Sequence, residues 1–354
     1  MSQQKPLRLG AAYHGNRMPH HAEQDLLDMA KHGMNTVVHM LSHTDWNRHL
    51  EVIRDIVTMS RDFGLEPWID NWGLAGSPGD TSHFLALYPD AHMRFSDGSL
   101  AGIYPCLYSP EYRKFTKDWI DAVEYTGAKT IFWDEPHMPQ KKADGKVYYG
   151  CACPRCRELF REKFGREMPL ESDDDVKRFA AESVADYFAE MTEYSRSKGI
   201  INTVCVMIGT YGVSLDSSEL IAALPCMDNL GSDPYWIRRK KENPDFDVYG
   251  FVRRETEKNL ALCERYGKDH NIWIQTYSNP RGLEEDIVTA ADAAYDAGAR
   301  TLLAWGYYGS ESNNYRAENP PVAWATLCEA FRRLRDRDRD ARLEENRKNY
   351  GKQS

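Results

Sequence analysis

Short apolar runs alternate with longer segments of helical periodicity along most of the chain. This alternation is typical of βα units arranged around a parallel sheet. Eight runs predict strands: LRLGAAY (7–13), NTVVHM (35–40), LEPWID (65–70), KTIFWD (129–134), INTVCVM (201–207), NLGSDPY (229–235), NIWIQTY (271–277) and TLLAWGY (301–307). Eight units favour a closed (β/α)8 TIM barrel over an open doubly wound sheet.

Helical periodicity fills most of the connections between these runs. The predicted helices cover 22–32, 46–63, 110–125, 176–198, 251–266 and 283–297. Several of them are followed by glycine, the residue that most easily adopts the left-handed conformation ending a helix, as at Gly33, Gly64, Gly127 and Gly199. Two connections are longer, 71–109 after the third strand and 136–150 after the fourth. Loops at this end of a barrel build active sites, so we expect both to shape a pocket.

The chain length fits one barrel with loop insertions. Eight βα units need roughly 250 residues, and the chain has 354. We therefore expect a single catalytic barrel over 1–340 and a charged C-terminal tail over 341–354. The last segment, 331–354, alternates charge signs along a predicted helix, which is typical of a solvated helix face.

Composition and charge narrow the range of partners. Hydrophobic residues make up 42% and charged residues 28% of the chain, and its formal net charge is −9. An acidic protein lacks the basic surface that nucleic acids and anionic membranes require. No apolar run is long enough for a signal peptide or a membrane span, and no GxGxxG or P-loop follows a strand. We expect a cytoplasmic protein with a small-molecule partner, and homo-oligomerisation stays open.

Polar and aromatic residues collect where the predicted strands end. The polar ones are His14, His39, Asp70, Asp134, Glu135, Asp233, Gln275, Tyr277 and Glu311. The aromatic ones are Tyr13, Trp72, Trp133, Tyr235, Trp236, Trp305, Tyr307 and Tyr308. Carboxylates beside flat apolar rings suit sugars, which offer hydroxyls at the edge and C–H groups on the face. We expect His14, Asp70, Trp72, Tyr235, Gln275, Tyr277, Trp305 and Glu311 to bind substrate.

Three acids in this set are candidates for catalysis. Asp134 and Glu135 stand together in WDEP at the end of the fourth strand, and Asp233 follows the sixth. Cleavage of a glycosidic bond needs a proton donor and a second carboxylate that acts as nucleophile or base. Neighbouring residues of one strand point to opposite sides. A pair from strands four and six is therefore geometrically easier than Asp134 with Glu135.

Eight cysteines in a reducing compartment seldom form structural disulfides. Cys151, Cys153 and Cys156 are spaced so that one turn brings their thiolates together, and Cys106 in the preceding loop is the candidate fourth ligand. Four thiolates make a closed tetrahedral zinc site with a structural role. Free thiols are the alternative. We expect the remaining cysteines, Cys205, Cys226, Cys263 and Cys328, to be buried small apolar residues.

The region 104–165 resembles glycoside hydrolase family 42 and related hypothetical glycosyl hydrolase barrels. Three parts carry the resemblance in the same order: PCLYSPEYR, a strand ending in an acidic dipeptide, and CACPRCRELFREKFG. The resemblance implies that Cys106, Cys151, Cys153 and Cys156 bind zinc. It also implies that Glu135 is the acid/base of a retaining glycosidase, which makes it the expected proton donor.

The chain departs from family 42 at two positions. Asp134 replaces the asparagine that precedes the acid/base, and Gln275 stands where the family has a glutamate nucleophile on strand seven. An amide cannot form a covalent glycosyl intermediate. Other barrel glycosidases that act on α-linked sugars are similar in a different way, with an aspartate nucleophile on strand four and an aspartate acid/base on strand six. Asp134 and Asp233 occupy those places, so either remains open as the partner of Glu135.

The sequence thus predicts hydrolysis of a glycosidic bond in a small oligosaccharide or glycoside by carboxylate catalysis. Two alternatives from other classes stay open. Gln275 at the nucleophile position is consistent with a sugar-binding barrel that has lost hydrolysis. His14 and His39 with the nearby acids are consistent with a lyase or isomerase built around a second metal.

Overall fold

The computed structural model describes residues 5–15, 17–71, 81–206 and 215–350. Eight parallel strands close into a barrel with helices outside, which confirms the predicted TIM barrel. Trp72 lies outside the described residues, so its predicted role is not tested.

All eight predicted strands are present. In chain order the barrel strands are β1 (Arg8–Tyr13), β2 (Thr36–Met40), β3 (Glu66–Asp70), β6 (Thr130–Trp133), β9 (Ile201–Cys205), β10 (Asn229–Ser232), β11 (Asp269–Gln275) and β12 (Thr301–Trp305). Each pairs with its chain neighbour, and β1 closes the barrel on β12. The remaining strands are β4 (His92–Arg94), β5 (Leu100–Pro105), β7 (Gln140–Ala143) and β8 (Lys146–Tyr149).

The helices agree with the predicted ones to within a few residues and add short elements in the loops. They are α1 (Pro19–Lys31), α2 (His43–Asp62), α3 (Ser82–Leu87), α4 (Pro110–Thr126), α5 (Pro154–Phe164), α6 (Asp174–Ser197), α7 (Leu215–Ala222), α8 (Ile237–Glu242), α9 (Val248–Tyr266), α10 (Glu285–Asp296) and α11 (Pro320–Tyr350). The α11 helix continues past residue 340, where the tail was expected to begin. Among the described helices, none combines the length and apolar character needed to cross a membrane.

Strand alternation divides the core into two layers. Every second residue points into the barrel, where Ala12, Val38, Met40, Trp68, Phe132, Cys205, Trp273 and Leu303 form one buried cluster. The residues between them face the helices and belong to two larger clusters. The lumen is therefore a packed core, and the aromatic rings in it form the floor of the C-terminal mouth.

The two predicted long loops carry structure of their own and contact each other. The loop after β3 contains α3 and the antiparallel β4–β5 hairpin, and the loop after β6 contains the β7–β8 hairpin and leads into α5. An antiparallel bridge joins Phe95 to Gly150, and Ala152 N–H donates to Arg94 O at 2.8 Å. Arg157 also spans the loops, donating to Ser96 O at 2.8 Å. The two insertions therefore form one unit above the mouth.

Close approach of β1 and β2 requires glycine at position 10. A Cβ on Gly10 would lie 2.2 Å from Thr36 O, a backbone atom that cannot move without shifting the strand pair. We predict that Gly10→Ala costs about 1–3 kcal/mol of unfolding free energy, the usual range for overpacking. Urea unfolding followed by circular dichroism measures it.

Val322→Ile is the control, because it adds one methyl group to an exposed residue of α11. Equal losses of unfolding free energy in the two variants would show that the close contact with Thr36 O is not the cause.

Candidate active site

Because side chains alternate between the lumen and the helices along each barrel strand, several of the predicted residues point into the mouth. His14, Asp70, Asp134 and Trp305 each stand two residues beyond a lumen-facing residue of their own strand, and Asp233 directly follows the end of β10. Asp70 is the last residue of β3 and is fully buried. The mouth therefore carries carboxyl groups from three neighbouring or nearby strands.

The backbone at Glu135 brings a second acid of WDEP to the same place. The strand ends at Trp133, and Glu135 has a φ of 34°, in the left-handed region that non-glycine residues rarely adopt. Alternation therefore stops before the acidic pair. Glu135 is hydrogen-bonded to Asp233, and its charge also acts on Asp134. The expectation that the adjacent acids point apart does not hold beyond the end of the strand.

Asp233, Glu135, Asp134 and Asp70 form a carboxyl cluster at the mouth, and Asp233 interacts with two of the other three acids. Burial raises its pKa well above the ordinary value, and the neighbouring charge of Glu135 and the hydrogen bond between the two carboxyls raise it further. The charge of Asp134 acts in the same direction, while a hydrogen bond with Cys205 opposes it. Two carboxyls this close share a proton, because both cannot ionise at low cost.

Asp134 is held between two other acids. Burial, the charge of Asp70 and the charge of Glu135 raise its pKa well above the usual range. Its backbone N–H donates to Asn71 Oδ1 at 3.3 Å, which ties the end of β6 to the end of β3. Asn71 thus supports the position of Asp134 from the neighbouring strand, while the charge of Asp70 opposes its ionisation.

Aromatic rings border the acids on the side of β10 to β12. Tyr235 and Tyr277 meet edge to face with ring centroids 5.2 Å apart. Trp305 packs on the lumen residue Trp273 at 5.2 Å and on His14 at 4.9 Å. Edge-to-face packing of this kind fixes ring orientation. The rings form two groups, Tyr235 with Tyr277 beside Asp233, and Trp305 with His14 beside β1.

Gln275 is buried and has a structural partner. Its Oε1 accepts a hydrogen bond from the backbone N–H of Ile237 at 3.1 Å, at the start of α8. The amide therefore holds the loop that follows Asp233. Its predicted contact with substrate stays a prediction.

His14 and Glu311 lie at the opposite edge of the mouth from the acids. Burial, with the nearby charge of Arg17, lowers the pKa of His14 to about 4, so the ring is neutral at pH 7. Glu311 is exposed in the loop after β12 and lines a cavity together with His14. The structure therefore places these two predicted residues beside each other and apart from Asp233.

Four other residues expected at the strand mouths face the helices. Tyr13 donates its hydroxyl to Asp25 in α1 at 2.7 Å, and His39 contacts Ser60 in α2 at 2.8 Å. Trp133 donates to Asn202 at 3.1 Å, and Trp236 is fully buried in the outer core. The prediction that His39, Trp133 and Trp236 line the mouth is wrong, because these side chains are buried outside the barrel lumen. Tyr13 faces α1 and also lines a cavity beside His14. Burial lowers the pKa of His39 to about 3, which leaves it a neutral core residue.

The four cysteines form a buried cluster that can hold a metal ion. The ligand atoms of Cys106, Cys151, Cys153 and Cys156 all lie within 4.8 Å of one another. Cys106 Sγ is 3.6 Å from the sulfur atoms of both Cys156 and Cys153. Tetrahedral coordination with Zn–S bonds of about 2.3 Å places sulfurs roughly 3.8 Å apart, far beyond a disulfide bond of about 2.05 Å. The donor set and its spacing fit a divalent cation.

The expectation that Cys205 only packs in the core is incomplete. It is buried in the lumen as expected, yet it is also hydrogen-bonded to Asp233. The signal was available, because alternation along INTVC places Cys205 on the same face as Thr203, at the end of the strand. Of the other single cysteines, Cys263 and Cys328 are buried, and Cys226 is only partly so.

The comparisons with known proteins identify the fold and no family. No family model matches the sequence, and no curated protein matches it significantly. The structure is similar to the β-amylase catalytic domain of Paenibacillus polymyxa, with a TM-score of 0.63, 7% identity, and coverage of 91% of this chain and 98% of that one. It is also similar to the endo-1,4-β-mannanase of Rhizomucor miehei, with a TM-score of 0.62, 12% identity, and coverage of 95% and 97%.

A third similar structure is a D-allulose 3-epimerase from Methylomonas sp., with a TM-score of 0.52, 13% identity, and coverage of 94% of this chain and 100% of that one. At such identities the likeness shows a barrel fold shared with glycoside hydrolases and with an epimerase. It does not single out family 42.

Repulsion within the carboxyl cluster predicts that Asp134 lowers stability when it ionises. Its folded pKa is raised, so the stability it contributes is present below the ordinary pKa and is lost as pH rises through the raised value. We predict that Asp134→Asn raises the melting temperature by roughly 1–3 °C at pH 7–8. The gain should shrink towards pH 4, where the wild-type carboxyl is protonated.

The control is Asp90→Asn, which changes an exposed carboxyl in the loop after β3. Scanning calorimetry across pH measures both variants. A gain for Asp134→Asn that is the same at every pH would show that charge repulsion is not its cause.

Proposed function

We propose that the protein hydrolyses a glycosidic bond in an oligosaccharide or glycoside, with Asp233 and Glu135 as the carboxyl pair. The hydrogen bond between these two groups, at the mouth of the barrel and beside aromatic rings, is the observation that carries the proposal. A proton-holding acid next to a carboxylate is what cleavage of an acetal requires. Barrel-fold similarity to an amylase and a mannanase is consistent with this chemistry.

The electrostatics assign the proton to Asp233. Burial and the charges of Glu135 and Asp134 raise the pKa of Asp233, which favours the protonated form of this group. A raised pKa is typical of the general acid in a carboxyl pair. In this proposal Asp233 donates its proton to the leaving oxygen, and Glu135 is the nucleophile or base. That reverses the role expected for Glu135 from the resemblance to family 42.

The short separation supports retention of the anomeric configuration. Retaining enzymes hold their carboxyls about 5–5.5 Å apart, whereas inverting enzymes leave about 6.5–9.5 Å for a water molecule. Two carboxyls joined by a direct hydrogen bond are closer to the first arrangement. Asp134 has a supporting role in this scheme, because its charge helps to keep the proton on Asp233.

We also propose that the cysteine cluster holds zinc. Four thiolates leave no open position for substrate or water, so the ion has a structural role. Cys106 precedes α4, and the other three cysteines follow the β7–β8 hairpin. Zinc would therefore join the two inserted loops and fix the chain that leads from Glu135 back to α5.

Substitution of either acid tests the hydrolytic mechanism. We predict that Glu135→Gln and Asp233→Asn each lower kcat by about 10²–10⁴-fold, the usual range for loss of a positioned acid or base. Nitrophenyl glycosides covering α and β forms provide the assay, and NMR of the first-formed product reads the anomer, for which we expect retention.

Glu193→Gln in α6, an exposed glutamate, is the matched control. Full rates in both acid variants would refute the carboxyl assignment. Saccharide binding without turnover of any glycoside would favour the sugar-binding alternative, and epimerisation or elimination that stops on chelation would favour the lyase or isomerase.

Removal of one thiolate tests the metal site. We predict about one zinc per chain by elemental analysis and its loss in Cys153→Ser, with a lower melting temperature, because an incomplete thiolate set binds zinc weakly. Cys226→Ser, outside the cluster, is the control and should keep the metal. Purified wild-type protein without zinc, and with four thiols that react after mild unfolding, would contradict the prediction.

A further inference from the structure

A cavity of about 620 Å³ lies between the loops that follow β1 and β12. His14, Arg17, Tyr307, Tyr308, Glu311 and Ser312 contribute to its wall. Its volume is within the range of about 300–1,000 Å³ that is typical of ligand sites. The carboxyl cluster belongs to β6 and β10, so this cavity is a separate part of the mouth.

Residues in contact with one another lead from the cavity wall to the carboxyl cluster. The ring of His14 lies 4.9 Å from that of Trp305, and Tyr277 N–H donates to Trp305 O at 3.1 Å. Tyr277 in turn packs on Tyr235, which follows Asp233. A substrate that extends along these residues would reach both places.

The charges in the cavity favour an uncharged ligand. Arg17 donates to both carboxylate oxygens of Asp45, at 2.6 and 2.8 Å, and to Gly15 O at 3.0 Å, so its charge is already neutralised. Asp25 accepts hydrogen bonds from the hydroxyls of Tyr13 and Tyr307. Among the described residues, no cation lies within ion-pair distance of Glu311, which leaves a net acceptor for sugar hydroxyls and a repulsive charge for anions.

The backbone of the cavity wall is strained. Tyr308, Gly309 and Ser310 have φ values of 48°, 60° and 57°, three consecutive residues in the left-handed region. The Tyr308 ring contacts Tyr307 and Trp324, with centroids 5.8 and 6.5 Å away, and stays partly exposed to the cavity. Such strain persists only where the surroundings impose it, and it is common at binding sites.

We propose that this cavity is a second saccharide subsite, and that the substrate is an uncharged oligosaccharide long enough to span it and the carboxyl cluster. Tyr308 provides an apolar ring for the C–H face of a sugar, and Glu311 and the neutral His14 bind its hydroxyls. The inference rests on the proposed function for the reaction, and the cavity itself is tested independently through binding.

Occlusion of the cavity by Ser312→Trp is the first test, and removal of the acceptor by Glu311→Ala is the second. With neutral oligosaccharides of increasing chain length, we expect kcat/KM of the wild type to rise once the chain reaches the cavity. Both variants should abolish that rise, a loss of about tenfold for one stacking and one charged hydrogen bond. For Ser312→Trp, the rate on a nitrophenyl monoglycoside should stay within about twofold.

Ser197→Trp, an exposed serine of α6, is the control for adding an indole. Equal losses on short and long substrates, or no loss on either, would overturn the subsite. So would better turnover of a uronic-acid oligosaccharide than of its neutral counterpart.

Calorimetry with cellobiose, mannobiose, maltose and lactose separates the two proposals. If the wild type binds a disaccharide and Ser312→Trp weakens that binding, the subsite stands even if no glycoside is hydrolysed. If none of these sugars binds while nitrophenyl glycosides are cleaved, the subsite is wrong and the hydrolytic function stands.

Discussion

The contact between the carboxyl groups of Asp233 and Glu135 is the interaction on which the mouth of this barrel depends. Bringing two carboxyls into hydrogen-bond contact, with Asp134 and Asp70 nearby, is unfavourable unless protons are retained. The barrel can hold such a cluster because strand ends are fixed by parallel pairing on both sides. The packed lumen below, with Trp273 and Phe132, excludes water and strengthens each of these interactions.

Two kinds of support hold the acids in place. Backbone and side-chain groups from neighbouring strands act directly, as when Asn71 accepts from Asp134 N–H and Cys205 bonds to Asp233. The inserted loops act from above, since the Phe95–Gly150 bridge and the cysteine cluster join the chain after β3 to the chain after β6. A loop that begins with a strained Glu135 needs such a second point of attachment.

Much of the candidate site could be predicted because alternation and strand order are local properties. Asp134 continues the inward row of β6, and Asp233 directly follows β10. Cys106 was placed with the other cysteines because neighbouring strands have neighbouring loops. The same rule also placed Tyr13, His39 and Trp133 at the mouth, because alternation alone does not show which of two neighbouring residues points inward. All three face helices because a strand's end and its inward row are set by its pairing, which composition does not reveal.

The amino-acid sequence by itself determined the eight strands, the helices between them and the cysteine cluster. Hydrophobic periodicity, glycines that end helices and the close spacing of cysteines are all patterns that extend over only a few residues. The tertiary structure alone decided which acids meet and that the pKa of Asp233 is raised. That depends on a left-handed turn at Glu135 and on distances between groups almost one hundred residues apart in the chain. The cavity between the first and last barrel loops likewise exists only after β1 has paired with β12.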